Sequence, residues 1–339
     1  MSAARDGWNI VRQLTFRRLI NLLLLRSSYA WSRLTKRPIH LGLPFSLSIE
    51  PTTACNLGCP ECPSGLKQFT RPTGKLSLEL HEKMLQQVFS SVFYINYYFQ
   101  GEPFLHPDFL QLIRQAKAHK IYTATSTNAH FITEQKALEI VDSGLDRLII
   151  SIDGLTQETY EQYRVNGKLD KVLEGTKHLI AAKHKRQSHT PHLIFQLLAV
   201  RANEHEIPQV HQLGKQLGVN EVRIKTAQLY DYKNGNPLMP ENESYARYRK
   251  KANGTYALKY TLGNHCWRMW SGSVLTWDGK VVPCCFDKDA HHVLGTLNDA
   301  PFNDIWSSAV YQRFRSQVFT NRKSIDICTN CSEGATVWK

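Results

Sequence analysis

From residue 45 to about residue 226 the chain alternates between short runs dominated by apolar residues and longer runs in which apolar residues recur every three or four positions. Short apolar or alternating runs bounded by turn residues read as strands, and the longer recurrence reads as helix. The pattern predicts strands at Phe45–Ile49, Val92–Phe99, Ile121–Ser126, Arg147–Ile152, Leu193–Val200 and Glu221–Thr226. Helices are expected between them, near 78–90, 107–119, 134–143, 156–164, 170–185 and 205–217. Each is long enough for a right-handed crossover between parallel strands. The prediction is an α/β fold built on a parallel sheet. Its active edge lies at the carboxyl ends of the strands, whether the sheet stays open or curls into a barrel.

The flanks differ from this middle. Residues 1–40 are basic and helix-prone, and Pro38, Gly42 and Pro44 separate them from a core over residues 41–230. Residues 231–263, with Asn234-Gly235-Asn236-Pro237, are polar and turn-rich and read as a connector. Residues 264–339 form a separate cysteine-rich module, with a hairpin expected over Ser273–Val282 turning at Asp278-Gly279 and a helix near Phe302–Val318. Trp267, Trp270, Trp277 and Trp306 are expected to form that module's core. His291-His292 reads as surface, because adjacent residues of an extended segment point to opposite sides.

Composition narrows the function classes. The chain has 339 residues, 42% of them hydrophobic, enough for a large core and incompatible with a disordered or disulfide-dense scaffold. Its longest uninterrupted apolar run is Leu22–Leu25, far short of the roughly 20 residues of a membrane-spanning helix. The net charge is +13, and eight of the cations lie in the first forty residues against Asp6 alone. Arginines interrupt the leucines there, unlike a signal peptide, so a cytoplasmic protein is expected. The basic segment would suit docking on its own core or association with the inner face of an anionic membrane. No nucleic-acid module is recognised, and no nucleic-acid partner is expected.

Eight cysteines in a reducing compartment point to metal or reactivity rather than to disulfides. Immediately after the first strand, Cys55, Cys59 and Cys62 stand in a C-x3-C-x2-C spacing on a loop at the catalytic edge. Structural zinc takes four ligands, and residues 63–80 supply no fourth. Three thiolates instead suit a [4Fe–4S] cubane with one iron left open, and Gly58 and Pro60 let the backbone fold tightly around it.

This loop resembles the signature of the radical S-adenosylmethionine (radical SAM) enzymes. The resemblance implies a partial (β/α)6 TIM-type barrel and a cluster whose open iron binds S-adenosyl-L-methionine for cleavage to a 5′-deoxyadenosyl radical. Further segments fit in order. Gln100-Gly101-Glu102-Pro103 is similar to a Gly-Gly-Glu-Pro motif, with Gln100 replacing the first glycine, and implies that Gly101 and Glu102 hold the cofactor's amino group. Ser126 and Asn128 at the third strand, and Ser151 and Asp153 at the fourth, resemble positions near the ribose and methionine parts. Arg164 matches a position that faces the carboxylate.

The C-terminal cysteines resemble a SPASM, or shorter twitch, extension, which holds auxiliary iron–sulfur clusters. Full SPASM modules carry about seven cysteines and two clusters. With five cysteines here, one auxiliary [4Fe–4S] cluster is expected, on Cys266, Cys284, Cys328 and Cys331, with four-cysteine zinc as the rival. Cys285 is then left over; in some epimerases of this broader class a cysteine returns a hydrogen atom to the substrate radical.

The resulting expectation is a radical SAM enzyme, served by a reductase or flavodoxin-type electron donor, that oxidises or epimerises its substrate. Because no peptide-recognition domain precedes the core, a sugar, lipid-linked or other small molecule is preferred over a peptide. The alternatives are a peptide- or protein-modifying enzyme of the same class, and a non-catalytic iron–sulfur or zinc scaffold with a membrane- or partner-binding basic end.

Overall fold

A computed structural model describes residues 2–333. Two helices, α1 (Ser2–Val11) and α2 (Phe16–Thr35), precede β1 (Ser46–Ile49) and a one-turn helix, α3 (Pro63–Leu66). The alternation that follows is α4 (Leu78–Val88), β2 (Tyr94–Asn96), α5 (Phe109–Ala118), β3 (Tyr122–Thr127), α6 (Glu134–Asp142) and β4 (Arg147–Ser151). It continues with α7 (Gln157–Tyr163), α8 (Leu169–Lys185), β5 (His192–Ala199), α9 (Ile207–Leu217) and β6 (Glu221–Thr226). Hydroxyl side chains start several helices: Ser77, Thr133 and Thr156 accept from the backbone N–H three residues on. β4 and β5 are apolar and buried on both faces, as parallel strands covered by helices must be.

β1 to β6 pair in sequence order, all parallel, forming the partial (β/α)6 barrel. The connector contains a short antiparallel hairpin, β7 (Tyr248–Lys250) and β8 (Tyr256–Leu258), whose polar outer positions hide it from hydrophobic patterning. Next come α10 (Arg268–Ser271), β9 (Gly272–Leu275), β10 (Lys280–Val282), β11 (Gly295–Thr296), α11 (Phe302–Ser307) and α12 (Ala309–Asn321). Ser308 breaks the expected single helix in two by capping α12 through Tyr311 N–H.

β9 pairs parallel to β1, and β10 and β11 follow antiparallel, so the described strands form one nine-stranded sheet in the order β11-β10-β9-β1-β2-β3-β4-β5-β6. Trp270 and Trp306 are fully buried in the continuous core this creates.

The amino-terminal helices are anchored by two charged side chains. Asp6 of α1 accepts from the Tyr122 hydroxyl at 2.5 Å and pairs with Arg147, at the amino ends of β3 and β4. Arg18 of α2 is buried and donates to the carbonyls of Phe89, His119 and Lys120, closing the carboxyl ends of α4 and α5. The outer face leaves Trp8, Phe16, Trp31 and Leu34 exposed. No helix among the described residues is long and apolar enough to cross a membrane.

Candidate functional site

The loop after β1 is fixed at both ends before it presents its cysteines. Glu50 is fully buried and forms a two-pronged ion pair with Arg71 (2.9 and 2.5 Å). Gly58 N–H donates to the Val165 carbonyl at 2.9 Å, tying the loop to the segment after α7. Gly65 in α3 lies so close that a Cβ there would sit 2.6 Å from Cys59 N.

The segment after β2 locks onto the same loop. Gly101 has φ +74°, receives Ser64 Oγ against its N–H at 2.9 Å, and leaves no room for a side chain: a Cβ would fall 2.2 Å from the Thr52 carbonyl oxygen. Glu102 N–H donates to Ala54 O at 2.7 Å. Its carboxylate is buried and accepts from Phe104 N–H (3.2 Å), the Thr127 hydroxyl (2.8 Å) and Asn128 N–H (2.8 Å), bracing the end of β3 against the loop. Burial pushes the Glu102 carboxyl upward against these donors. Asn128 also donates to Asn56 Oδ1 at 2.8 Å.

Cys55, Cys59 and Cys62 open, with Gly101, Glu102, Ser126, Asn128, Ser151 and Arg164, on one cavity of about 300 Å³ at the carboxyl ends of the strands. Ser151 and Gln196 sit opposite each other in the β4–β5 register and both reach it. Of the residues singled out in sequence near the cofactor, only Asp153 does not line this space. It is fully buried behind it, accepts from Leu198 N–H at 2.5 Å and pairs with Arg164 Nε. Burial would lower the Arg164 pKa, but Asp153 and then Cys59 hold it above the ordinary value. Sequence reasoning missed Gln196, Lys225 and Lys288. An isolated polar residue at a strand's carboxyl end is the only local signal that marks Gln196 and Lys225.

In the C-terminal module Cys266, Cys284, Cys328 and Cys331 are all buried and influence one another electrostatically. Arg322 Nη2 and Glu333 N–H each donate to Cys331 Sγ at 3.2 Å. Among the described residues no three His, Cys, Asp or Glu side chains close on a single metal ion, which is not the packing of a four-thiolate zinc site. Cys285 is half-buried beside Arg268, whose pKa it raises more than any other group does.

Both thiol sets fit iron–sulfur clusters by donor chemistry. Burial pushes Cys55 up to about 11 and Cys266 up to about 12, so neither gives up its proton without a cationic partner. Iron supplies one, and cationic or N–H donors stand beside the sulfurs at Arg164 and Arg322.

A partial barrel with three thiols and a buried carboxylate at the carboxyl ends of its strands defines an iron–sulfur enzyme of the α/β class. The chain belongs to the radical SAM superfamily, whose model matches residues 49–209, and it carries a SPASM iron–sulfur cluster-binding domain over residues 266–332. Its cofactors are therefore S-adenosylmethionine, a [4Fe–4S] cluster and auxiliary iron–sulfur. The PqqA peptide cyclase of Gluconobacter oxydans is 26% identical over 292 residues, 80% of this chain and 79% of that protein. The tungsten-containing aldehyde ferredoxin oxidoreductase cofactor-modifying protein of Pyrococcus furiosus is 24% identical over 84% of this chain and 86% of its own length. In fold, the chain is similar to Streptococcus suis SuiB, solved bound to the precursor peptide SuiA (TM-score 0.63, 13% identity, 92% of this chain, 75% of that one).

These relatives overturn the preference for a sugar, lipid-linked or other small substrate over a peptide. One is named for cyclising a peptide and another was solved with a precursor peptide bound. The preference leaned on the lack of a recognition domain ahead of the core, yet a peptide can be bound wherever a cleft has suitable length and chemistry.

Proposed function

We propose that this chain modifies a peptide or protein, taking a hydrogen atom from one residue of an extended substrate segment. The observation that carries this reading is the shape of the cleft. Lys288 lines the 300 Å³ cavity beside the three thiols and also a second cavity of about 540 Å³, bordered by Leu66, Tyr230, Phe286 and Ile327. A reacting residue in the first space and its apolar neighbour in the second would occupy both.

Cys55, Cys59 and Cys62 would hold the cofactor-binding cluster, and Cys266, Cys284, Cys328 and Cys331 one auxiliary cluster. When bound, the first cluster and S-adenosylmethionine supply one-electron cleavage to a hydrogen-abstracting 5′-deoxyadenosyl radical. The chain's own residues orient and shield. Glu102, rigid because three donors hold it, presents a carboxylate to the cofactor's ammonium, with the Gly101 backbone alongside. Ser126, Asn128 and Ser151 offer hydrogen bonds along the cavity wall. Arg164, aligned by Asp153, offers its remaining N–H groups to the cofactor's carboxylate. Cys285 is assigned as a hydrogen-atom donor to the substrate radical. The cysteines form no disulfide among the described residues, which suits the cytoplasm.

Stimulation of 5′-deoxyadenosine formation by a small-molecular-weight extract of the source cells tests the reading. Stimulation abolished by prior protease digestion of the extract supports a peptide; stimulation that survives digestion refutes it.

A further inference from the structure

The wall of the cleft opposite the cofactor-binding residues is cationic. Lys225 at the end of β6 and Lys288 after β10 both line the cavity of the three thiols. Arg247 is buried and donates Nη2 to the carbonyl of Thr226, the residue following Lys225, at 3.2 Å. Its Nε and Nη1 are buried with no hydrogen-bond partner among the described residues. Arg268 lies near Lys225 as well. The acidic groups facing this cluster are Glu333, 3.4 Å from Arg268, Glu61 near Lys288, and the Cys285 thiol. Lys288 Nζ donates to the Glu61 carbonyl at 3.4 Å and sits 4.5 Å from the centre of the Tyr230 ring.

A buried guanidinium with two unsatisfied nitrogens is costly unless an acceptor reaches it. Like charges gathered in a low-dielectric cleft repel, and an anion entering among them relieves that repulsion. Burial, and then Arg247, Lys288 and Arg268, hold the Lys225 pKa below its ordinary value.

We propose that Lys225, Arg247 and Lys288 bind a carboxylate of the substrate beside its reacting residue. This rests on the peptide reading above and adds to it that the peptide is anionic at this point, through a Glu or Asp side chain or through its own C-terminal carboxylate.

The test uses the full-length protein, anaerobically reconstituted and loaded with S-adenosylmethionine, in calorimetric titrations. The probes are capped pentapeptides Gly-Ala-X-Ala-Gly with X as Glu or Gln, the X = Ala peptide with free or amidated C-terminus, and glutarate. The expected result is at least about tenfold tighter binding of a carboxylate-bearing peptide than of its amide. Whether the Glu or the free-terminus peptide shows this identifies the source of the carboxylate. The preference should fall to within about twofold in Lys225→Met and Lys288→Met, and survive in Lys225→Arg, with iron content and cofactor affinity unchanged.

Equal binding of acid and amide peptides overturns the proposal and leaves the peptide reading standing. Lysine-dependent binding of glutarate with no binding of any peptide keeps the anion site and removes the peptide reading. Loss of cofactor binding in the methionine variants assigns the wall to the cofactor's own carboxylate and overturns the proposal, as does failure of every probe to bind.

Discussion

Nη1 of Arg164 lies 3.7 Å from the sulfur of Cys59, while its Nε is paired with the buried carboxylate of Asp153. One side chain thus connects the end of β4, through Asp153, to the cysteine loop after β1. If Arg164 also meets the cofactor's carboxylate, Arg164→Met removes a charge-assisted contact of about 1.5–3 kcal/mol and weakens S-adenosylmethionine binding about tenfold to a hundredfold. Equilibrium dialysis at unchanged iron content reads this directly. Unaltered affinity would leave Arg164 only its place beside Cys59.

Two glycines should respond in opposite directions to alanine. At Gly101 a Cβ would meet Thr52 O at 2.2 Å and the backbone has φ +74°, so Gly101→Ala should cost more than about 2 kcal/mol and disturb the cysteine loop. At Gly7, within α1, a Cβ meets nothing within 4 Å, and Gly7→Ala should stabilise by about 0.5–1 kcal/mol. Thermal melts of the two variants beside the parent distinguish a required glycine from a tolerated one.

Iron and sulfide content separates the two thiol sets. Anaerobically purified protein should hold about eight irons per chain, falling to about four when Cys55, Cys59 and Cys62 are all replaced by Ala. Cys285→Ala should leave iron unchanged and arrest turnover after hydrogen abstraction; a loss of iron would make Cys285 a ligand instead. Zinc in place of the second four irons would make the C-terminal site structural.

His81 predicts a pH dependence of stability. It is fully buried, with Nδ1 2.7 Å from Gln115 Oε1 and Nε2 2.8 Å from the Tyr97 hydroxyl, and burial lowers its pKa to about 4. The folded protein keeps the imidazole neutral, whereas the unfolded chain protonates it near its ordinary value of about 6.5. Its contribution is therefore fully present above about pH 6.5 and declines by roughly 1.4 kcal/mol per pH unit between there and about pH 4. Urea unfolding at about pH 7.5 and about pH 5.5 should show the smaller decline in His81→Gln. Equal declines would mean that His81 is not the group that titrates.

Much of the barrel was legible because its signals are local. Crossover helices need an amphipathic repeat and covered parallel strands need continuous apolar runs, so β4 stands where Arg147–Ile152 was read and β6 where Glu221–Thr226 was read. The hairpin of β7 and β8 was not legible, because its side chains alternate weakly between buried and exposed. The cysteine loop and Glu102 announced themselves through spacing and motif. Asp153 was seen in sequence, but its place behind Arg164 was not, since a carboxylate at a strand end can face either way.

By itself the sequence determined the order of strands and helices, the two thiol sets and the charge of the amino-terminal segment, all of which are properties of neighbouring residues. Only the tertiary structure decided that β9 joins β1 in one sheet, that Asp6 and Arg18 dock the basic helices, and that Lys225, Arg247 and Lys288 share a wall. Those relationships join residues far apart in the chain. They arise when sheet closure and burial bring separate strand ends together, a condition that no local spacing encodes.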